Sequence, residues 1–470
     1  MPSNFTTSIP RDWYRNNPNN IDPVSLVIGG VDVTNNIQSY SISYDMFGEA
    51  GSFTCDLFSD KPSGVSINLS KKETFFRWTI NGIPWMNGYI DKITVNYSKN
   101  GVTQTVQGRD LMQILTDNTI LYPKTLPDPL LLSSLQSIAY AGSLQSILSD
   151  VWLQNSTISQ IKNMYGGKNN LIRTLQTPLT IRKYLNNTPF IFSASAQNVL
   201  KRIPQFKKIT EGVSQPIFDF VSNLCNQVGL ILYNPPGTNY ILVHSPVYVG
   251  KDKKSSIMEF DPWGRNGEMR EFFISNQVDR FANNNVISCS YTEDVTGYAK
   301  YLKVIGSAAD EDTIQKELST TGTSKNALVI EKIENVDDID PNSGAPITGP
   351  VTPQELSQGY SGITKLKSIN VDAVDVNTWA KTRDLLMNNA LLTQNRELYK
   401  IRYTVSNHSP QGGIPYFFGQ VATVTDDFLN FKQAEFMVYS VNYTGSKDQG
   451  LKTELELASP ISLITGRNII

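Results

Sequence analysis

The chain has 470 residues, of which 40% are hydrophobic and 18% are charged. This length predicts about three domains, and this composition predicts folded domains rather than disorder. Because 41 basic residues face 43 acidic ones, the chain has little net field to attract a nucleic-acid backbone, so nucleic acid is not an expected ligand. No stretch approaches the roughly 20 apolar residues that cross a bilayer, and the polar start differs from a secretion signal. We therefore expect a soluble protein that does not insert into a membrane.

The first segment, residues 1–22, is predicted to be an extended arm. Pro2, Pro10 and Pro18 block helix formation, and the runs of asparagine favour turns. Such an arm is either disordered or clasps a neighbouring subunit.

Residues 23–118 form the first predicted β unit. Apolar and polar residues alternate at 40–44 and again at 93–98, as in half-buried strands. Asn100-Gly101 is a strong signal for a tight hairpin. The pattern indicates a two-layered or barrel-like sheet. The aromatic side chains at alternating strand positions are expected to point inward: Tyr40, Tyr44, Trp78 and Tyr97.

Residues 119–250 form a predicted small α/β module, with an insertion of uncertain structure at about 155–205. A helix with one apolar face is expected between Ser214, which can cap it, and Gly229, which can end it. Two apolar strands around a Pro- and Gly-containing turn follow at 230–243. The module is therefore a helix packed on a hairpin.

Residues 251–470 form the second predicted β unit. A strand is expected at 286–290, a polar loop at 337–362 and a helix at 376–398. Apolar and charged residues alternate at 451–457, as in a strand with one buried face. The fold class is therefore β-rich α+β and multidomain.

The residue pattern argues against an active site. The two histidines, His244 and His408, are far apart in sequence, so a site that needs two imidazoles is not expected, and each is assigned a structural role. Gly166-Gly167-Lys168 lacks the residues of a phosphate-binding loop. The alternating side chains of 338–342 lack the glycine and glutamate spacing of a calcium loop. We predict no enzyme activity, no catalytic, cofactor-binding or metal-binding residues, and no cofactor.

The three cysteines point to the same conclusion. Cys55, Cys225 and Cys289 are widely spaced in apolar or strand-like contexts. Such contexts favour buried free thiols over disulfides. We expect each to be a small core side chain.

A series of motifs runs along the chain in a fixed order. They are VIGG at 27–30, SFTCDL at 52–57, WMNGYID at 85–91, GRDLMQILTD at 108–117, SLQSIL at 143–148, and the stretches 209–243 and 418–458. In this order they resemble the late-control protein D and Mu-type baseplate hub family of contractile phages. The most specific element is Gly108-Arg109-Asp110-Leu111. The arm and residues 155–205 depart from the pattern.

The resemblance implies a non-enzymatic mechanical role. It implies two tail-tube-like β-barrels, the second discontinuous with loop 337–362 inserted, plus the helix-hairpin module. A homotrimer would then form a ring of six barrels that adapts a sixfold tail tube to a threefold spike. The implied partners are the tail tube or a tube-initiator protein above, the spike below and other baseplate proteins around. DNA would pass through without specific binding.

The implied location is the baseplate of the virion tail, after assembly in the host cytoplasm. Other classes remain open from sequence. One is another tail-tip or distal tail component, or the hub of a phage-like injection system. The other classes are a tail-associated cell-wall hydrolase, which would need a carboxylate pair or a metal site, and a receptor-binding module.

Overall fold

The computed structural model describes a large part of the chain. The described residues are 22–59, 74–99, 101–118, 139–152, 190–193, 196–197, 200–201, 206–210, 215–228, 230–244, 271–277, 284–294, 301–306, 330–335, 366–371, 399–410, 414–447 and 450–458. The predicted loop 337–362 and helix 376–398 lie outside them, as does the predicted arm except for Asp22. Only a few residues of the predicted insertion 155–205 are described.

The first half of the structure is built almost entirely of strands. Buried and part-exposed residues alternate along most of them, which is the pattern of a sheet with one face on a core. A single-turn helix, α1 (Gln113–Thr116), follows the last strand. The strands are β1 (Val24–Ile28), β2 (Val31–Asp32), β3 (Ile37–Asp45), β4 (Ser52–Ser59), β5 (Phe75–Ile80), β6 (Ile83–Ser98) and β7 (Gly101–Asp110).

The described part of the middle of the chain contains further helices and short strands. Helix α2 (Leu144–Trp152) follows strand β8 (Ala139–Gly142), and helix α3 (Ile217–Gln227) buries an apolar face. The remaining strands are β9 (Phe190–Phe192), β10 (Phe206–Thr210), β11 (Ile231–Tyr233) and β12 (Ile241–His244). Strands β11 and β12 pair antiparallel, and β9 pairs with β12.

The described regular elements of the second half are again strands. They are β13 (Glu271–Asn276), β14 (Val286–Glu293), β15 (Tyr301–Gly306), β16 (Ile330–Asn335), β17 (Leu366–Val371), β18 (Tyr399–Ser406), β19 (Val421–Asp426), β20 (Phe431–Ser446) and β21 (Gly450–Ala458). Strands β15, β16 and β17 form a small sheet of their own. In β21 the residues Thr453, Leu455 and Leu457 are buried, as the alternation predicts.

The two halves share one 13-stranded sheet. Its main path has the order β14-β18-β21-β20-β3-β4-β7-β6-β5-β1-β2, and β13 pairs with β19, which pairs with β20. Two separate barrels were expected from the sequence. In the described residues the sheet is continuous across both halves, and neither half closes into a barrel.

The two halves repeat the same strand order. The first half reads β3-β4-β7-β6-β5-β1, and the second reads β14-β18-β21-β20-β19-β13. The pairing irregularities also recur at equivalent places: next to Gln38 in β3 and Ile287 in β14, and next to Asp91 in β6 and Tyr439 in β20. One difference is that β1 runs antiparallel to β5, whereas β13 runs parallel to β19. Such bulges are positional features of a sheet, so the halves are structural duplicates.

One apolar core serves both halves. It contains Trp78 and Trp85 from the first half and Tyr403 and Tyr443 from the second, all fully buried. The hairpin of the middle module reaches the same core through Tyr233. Helices α1, α2 and α3 pack into a second, smaller core. A shared core of this kind fixes the halves relative to each other.

The two motif glycines at 88 and 108 sit where β6 and β7 cross closely. A Cβ on Gly88 would overlap the carbonyl oxygen of Arg109, and one on Gly108 would lie 2.6 Å from the carbonyl oxygen of Tyr89. Only glycine allows this backbone approach. The motif glycines are therefore needed for the close approach of β6 and β7.

Among the described residues, no helix has the length and apolar character to cross a membrane.

Candidate functional site at the junction of the two halves

The two halves meet where β3 pairs antiparallel with β20. Residues 39–45 lie opposite residues 446–440, one pair for each position. Beyond the end of this ladder, the backbone N–H of Met46 donates to the carbonyl oxygen of Tyr439 at 2.8 Å. Because each strand covers the edge of the other, neither half exposes unpaired backbone groups here.

The inner face of the junction is tightly packed. Tyr40 lies opposite Gly445, and a Cβ at Gly445 would overlap the Tyr40 ring. The Tyr40 ring also lies 5.2 Å from that of Trp78, centroid to centroid. Ile42 and Tyr443, the next inward pair, are fully buried. The large ring on one strand therefore requires the smallest residue on the other.

A buried carboxylate joins segments from both halves beside this junction. Asp22 accepts hydrogen bonds from the Asn81 side chain at 2.6 Å, from the His408 backbone N–H at 2.6 Å, and from Ser409. Ser409 donates twice, through its backbone N–H at 2.7 Å and its hydroxyl at 2.6 Å. Hydrogen bonds to a charged acceptor are among the stronger ones in proteins. Asp22 therefore ties the start of β1 and the β5–β6 turn to the loop after β18.

His408 completes the same buried cluster. Its Nε2 lies 2.5 Å from the Tyr40 hydroxyl, and its Nδ1 lies 3.0 Å from Oγ1 of Thr453. Because the Thr453 hydroxyl donates to the carbonyl oxygen of Asn407 at 2.7 Å, it accepts from Nδ1–H, and Nε2 then accepts from Tyr40. Burial lowers the pKa of His408 to about 4, so the ring is neutral at pH 7.

Sequence reasoning missed this cluster. Asp22 was placed in the arm, and its partner His408 is 386 residues away along the chain. No local pattern relates such distant positions, and only the fold brings them together. Both histidines are buried and lie within hydrogen-bond distance of other side chains. The Nδ1 of His244 lies 3.2 Å from the Ser193 hydroxyl.

The motif Gly108-Arg109-Asp110-Leu111 organises the end of the first half. Arg109 forms a bidentate pair with Asp91, Nε–Oδ2 and Nη2–Oδ1 both being 2.8 Å. The same guanidinium contacts the Asp117 carboxylate at 2.8 and 2.9 Å. A planar guanidinium suits such paired contacts. Arg109 therefore holds β6 and the end of α1 together.

The neighbouring Asp110 has a separate role. Its buried carboxylate accepts from the backbone N–H groups of Gly51 and Met112, both at 2.9 Å. Burial raises its pKa to about 7, despite these hydrogen bonds, which lower it. Asp110 therefore links the entry to β4 with the start of α1.

The described residues were expected to contain no metal-ligating cluster. No three His, Cys, Asp or Glu side chains within them come together as metal ligands would. Cys55 and Cys225 are buried, Cys289 is partly buried, and all three are free thiols, as the sequence predicts. The segments 166–169 and 338–349 lie outside the described residues. The expected lack of catalytic residues stays a prediction.

One of the four aromatic predictions is wrong. Tyr40, Tyr44 and Trp78 are buried, but Tyr97 is 76% exposed. The reason is that β6 is 16 residues long, and its far part extends beyond the core that its first part covers. Alternation places Tyr97 on the inner face of the sheet, but nothing else in the described chain covers that face there.

Similarity to known proteins lies in the fold and not in the sequence. No protein-family model matches it, and no curated protein sequence does. Among solved structures, it is similar to a tail protein from Neisseria meningitidis MC58, with a TM-score of 0.59 and 14% identity over 94% of this chain and 98% of that one. It is also similar to the 43 kDa tail protein of prophage MuSo2 from Shewanella oneidensis, with a TM-score of 0.56 and 13% identity over 94% and 99%.

The chain has a phage tail-protein fold. The likeness extends over nearly the full length of both chains in each comparison, so it includes both halves of the duplicated sheet. At these identities the likeness shows the fold alone. The predicted phage tail class is supported at this level.

Replacing Asp22 should strongly destabilise the protein. In Asp22→Ala the buried Asn81 amide and two backbone N–H groups lose their acceptor, which we expect to lower the free energy of unfolding by about 3 kcal/mol or more. The control is Asp32→Ala, because Asp32 is exposed and accepts hydrogen bonds from the backbone and side chain of the neighbouring Thr34. That change should cost about 1 kcal/mol or less. Urea unfolding measures both, and equal losses would contradict this role of Asp22.

His408 should make stability fall at acid pH. Its pKa is about 4 when folded and about 6.5 when unfolded, so on acidification the unfolded state takes up the proton first. The contribution is complete above about pH 6.5 and is lost as the pH falls towards 4. Between pH 7.5 and 5, the stability gap between wild type and His408→Gln should shrink by about 2 kcal/mol. Asp110 has a raised pKa and therefore the opposite pH dependence. Because it is present in both proteins, its contribution cancels in the comparison. A gap independent of pH would contradict the assignment.

Proposed function

We propose that this chain is the structural hub of a contractile phage tail baseplate. In this role a homotrimer adapts the sixfold tail tube to the threefold spike. The observation that carries the proposal is the duplicated strand order within one chain, together with the junction β3–β20 that joins the duplicates edge to edge. The tail-protein fold supports the setting.

The duplication solves a symmetry problem. A sixfold partner presents six equivalent contacts, and a threefold partner presents three. A chain with two similar β units, repeated three times, offers six similar units to one partner while it keeps threefold symmetry for the other. A subunit with a single unit could match a sixfold tube as a hexamer, but it would not match a threefold spike in the same way. The repeat therefore favours a hub over other tail components.

The partners follow from this position. The tail tube or a tube-initiator protein would lie above the ring, the spike below it, and other baseplate proteins around it. DNA would pass through a central channel without specific binding, and the near balance of 41 basic and 43 acidic residues is compatible with this passage. The protein would act in the tail baseplate of the virion, after assembly in the host cytoplasm.

We further propose that the chain is not an enzyme. The buried polar groups at the junction are engaged with each other: Asp22 accepts from Asn81, His408 and Ser409. The ring of His408 is held between Tyr40 and Thr453. Groups that are buried and saturated in this way hold segments together rather than meet a substrate. The candidate that differs most is a cell-wall hydrolase.

Light scattering on the purified full-length chain tests the proposal. We expect a particle of three times the chain mass, because three copies are needed to present six units. A stable monomer at micromolar concentration would contradict the hub.

A peptidoglycan-release assay on the same sample tests the non-enzymatic part. No release above buffer is expected, with lysozyme as the positive control. Sustained turnover would support the hydrolase instead.

A further inference from the structure

Several strand edges of the large sheet are open in the described part of the chain, including those of β2 and β13. Two further open edges lie on β14 and on the far part of β6. Strand β14 pairs with β18 on one side only. The far part of β6, from Lys92 to Ser98, pairs with β7 on one side only, because β5 ends its pairing at Tyr89. Open edges of this length are templates for pairing with another strand.

These two edges correspond to strands that already pair with each other inside the chain. In the duplicated order, β14 is the equivalent of β3, and β6 is the equivalent of β20. The hairpin ends align Ser98 with Ser446, and the bulges then align as well, Asp91 with Tyr439. Inside the chain, the equivalents of β14 and β6 are β3 and β20, and these two strands pair with each other. Their pairing therefore shows how the edges of β14 and β6 can fit together.

We propose that β14 of one copy pairs antiparallel with the far part of β6 of the next copy, in the register of the internal junction. This inference rests on the proposed trimer and names the surface that builds it. We call this pairing between copies the seam. The internal register transfers position by position, so that residues 288–294 lie opposite residues 98–92 of the neighbour. The partner is a second copy of this chain, and the contact is head to tail.

The register brings exposed apolar side chains together. Tyr291, 45% exposed, falls opposite Val95, 38% exposed, and Tyr97, 76% exposed, falls opposite Cys289. With Ile287, also on β14, these two edges carry four of the eight large apolar side chains exposed in the described residues. Cross-strand pairs between aromatic and β-branched residues stabilise sheets. The exposure of Tyr97, which sequence reasoning did not predict, is then covered in the assembly.

Size and charge also agree with the register. In the internal junction a large ring, Tyr40, lies opposite the smallest residue, Gly445. At the equivalent pair of the seam the sizes are exchanged, with the small Cys289 opposite the large Tyr97. At the far end Asp294 falls opposite Lys92, and opposite charges at paired positions are favourable. A register shifted by one residue would lose all three matches.

The seam also explains how the ring closes. Each chain has one β14-type edge and one β6-type edge left over after the internal junction. Three chains joined head to tail pair all of these β14 and β6 edges. In a ring of six halves, junctions within chains and seams between chains then alternate, each made of the same kind of strand pair.

A single substitution tests the register, because Cys289 is a native free thiol. In Tyr97→Cys the new thiol would face Cys289 of the next copy. Directly opposed residues in an antiparallel pair have Cα atoms about 4.5–5.5 Å apart, within the range that a disulfide bridges. After oxidation of the assembled protein with diamide, which takes up the two hydrogens, non-reducing gels should show most chains as covalent dimers and trimers. Tyr97 is exposed, so the substitution should leave the fold intact, which circular dichroism checks.

Two matched controls separate the proposed register from chance cross-linking. Tyr97→Cys combined with Cys289→Ser should give monomeric bands only. Asn96→Cys places a thiol one residue away on the opposite face of the strand, and it should not cross-link to Cys289. Cys55 and Cys225 are buried and should not react.

The outcomes distinguish the seam from the proposed function. A trimer by light scattering with no Tyr97→Cys cross-link would overturn the seam and leave the hub standing. Efficient cross-linking of Asn96→Cys, but not of Tyr97→Cys, would overturn the register. A monomer that forms no cross-link would overturn both the seam and the trimer. The expected ladder of dimer and trimer, lost in the Cys289→Ser background, supports the seam directly.

Discussion

The pairing of β3 with β20 is the contact on which the rest of the structure depends. It converts two β units that are far apart in sequence into one 13-stranded sheet with one core. Asp22 and His408 lie beside this contact and bind segments from both halves. Because buried polar groups are costly unless they are satisfied, their mutual hydrogen bonds favour a single arrangement of the halves. A fixed angle between the halves is what a closed ring of such units requires.

The duplication makes the junction within the chain relevant to contacts between chains. A strand pair that joins two equivalent units inside a chain can also join them between chains, since the same two edges are present again. The internal junction therefore serves as a model for the proposed seam between copies. The assembly would then use the same kind of strand pair as the fold of one chain, and it would need no other type of interface. It also gives a physical reason for a closed ring of copies, because open strand edges are a liability that closure removes.

Part of the fold could be predicted from the sequence. The alternation at 451–457 correctly predicts the buried Leu455 and Leu457, and the free cysteines were predicted from their contexts. The β-rich class and its relation to phage tail proteins were also predicted, and the solved structures support both. The duplication of strand order was not visible in detail, because equivalent positions hold different residues. Tyr40 corresponds to Cys289, and Gly445 corresponds to Tyr97, so only the register shows the match. The Asp22 cluster and the exposure of Tyr97 depend on distant contacts that no local pattern contains.

Cryo-electron microscopy of the purified full-length chain, viewed along its symmetry axis, tests the central claim most directly. We expect a threefold ring of six similar β densities in which the first and second halves alternate. Three contacts would be junctions within a chain, and three would be seams between chains. Either of two results would contradict this arrangement. One is a ring to which each chain contributes only one β unit. The other is a particle in which the two halves of a chain do not share a common axis with the other copies.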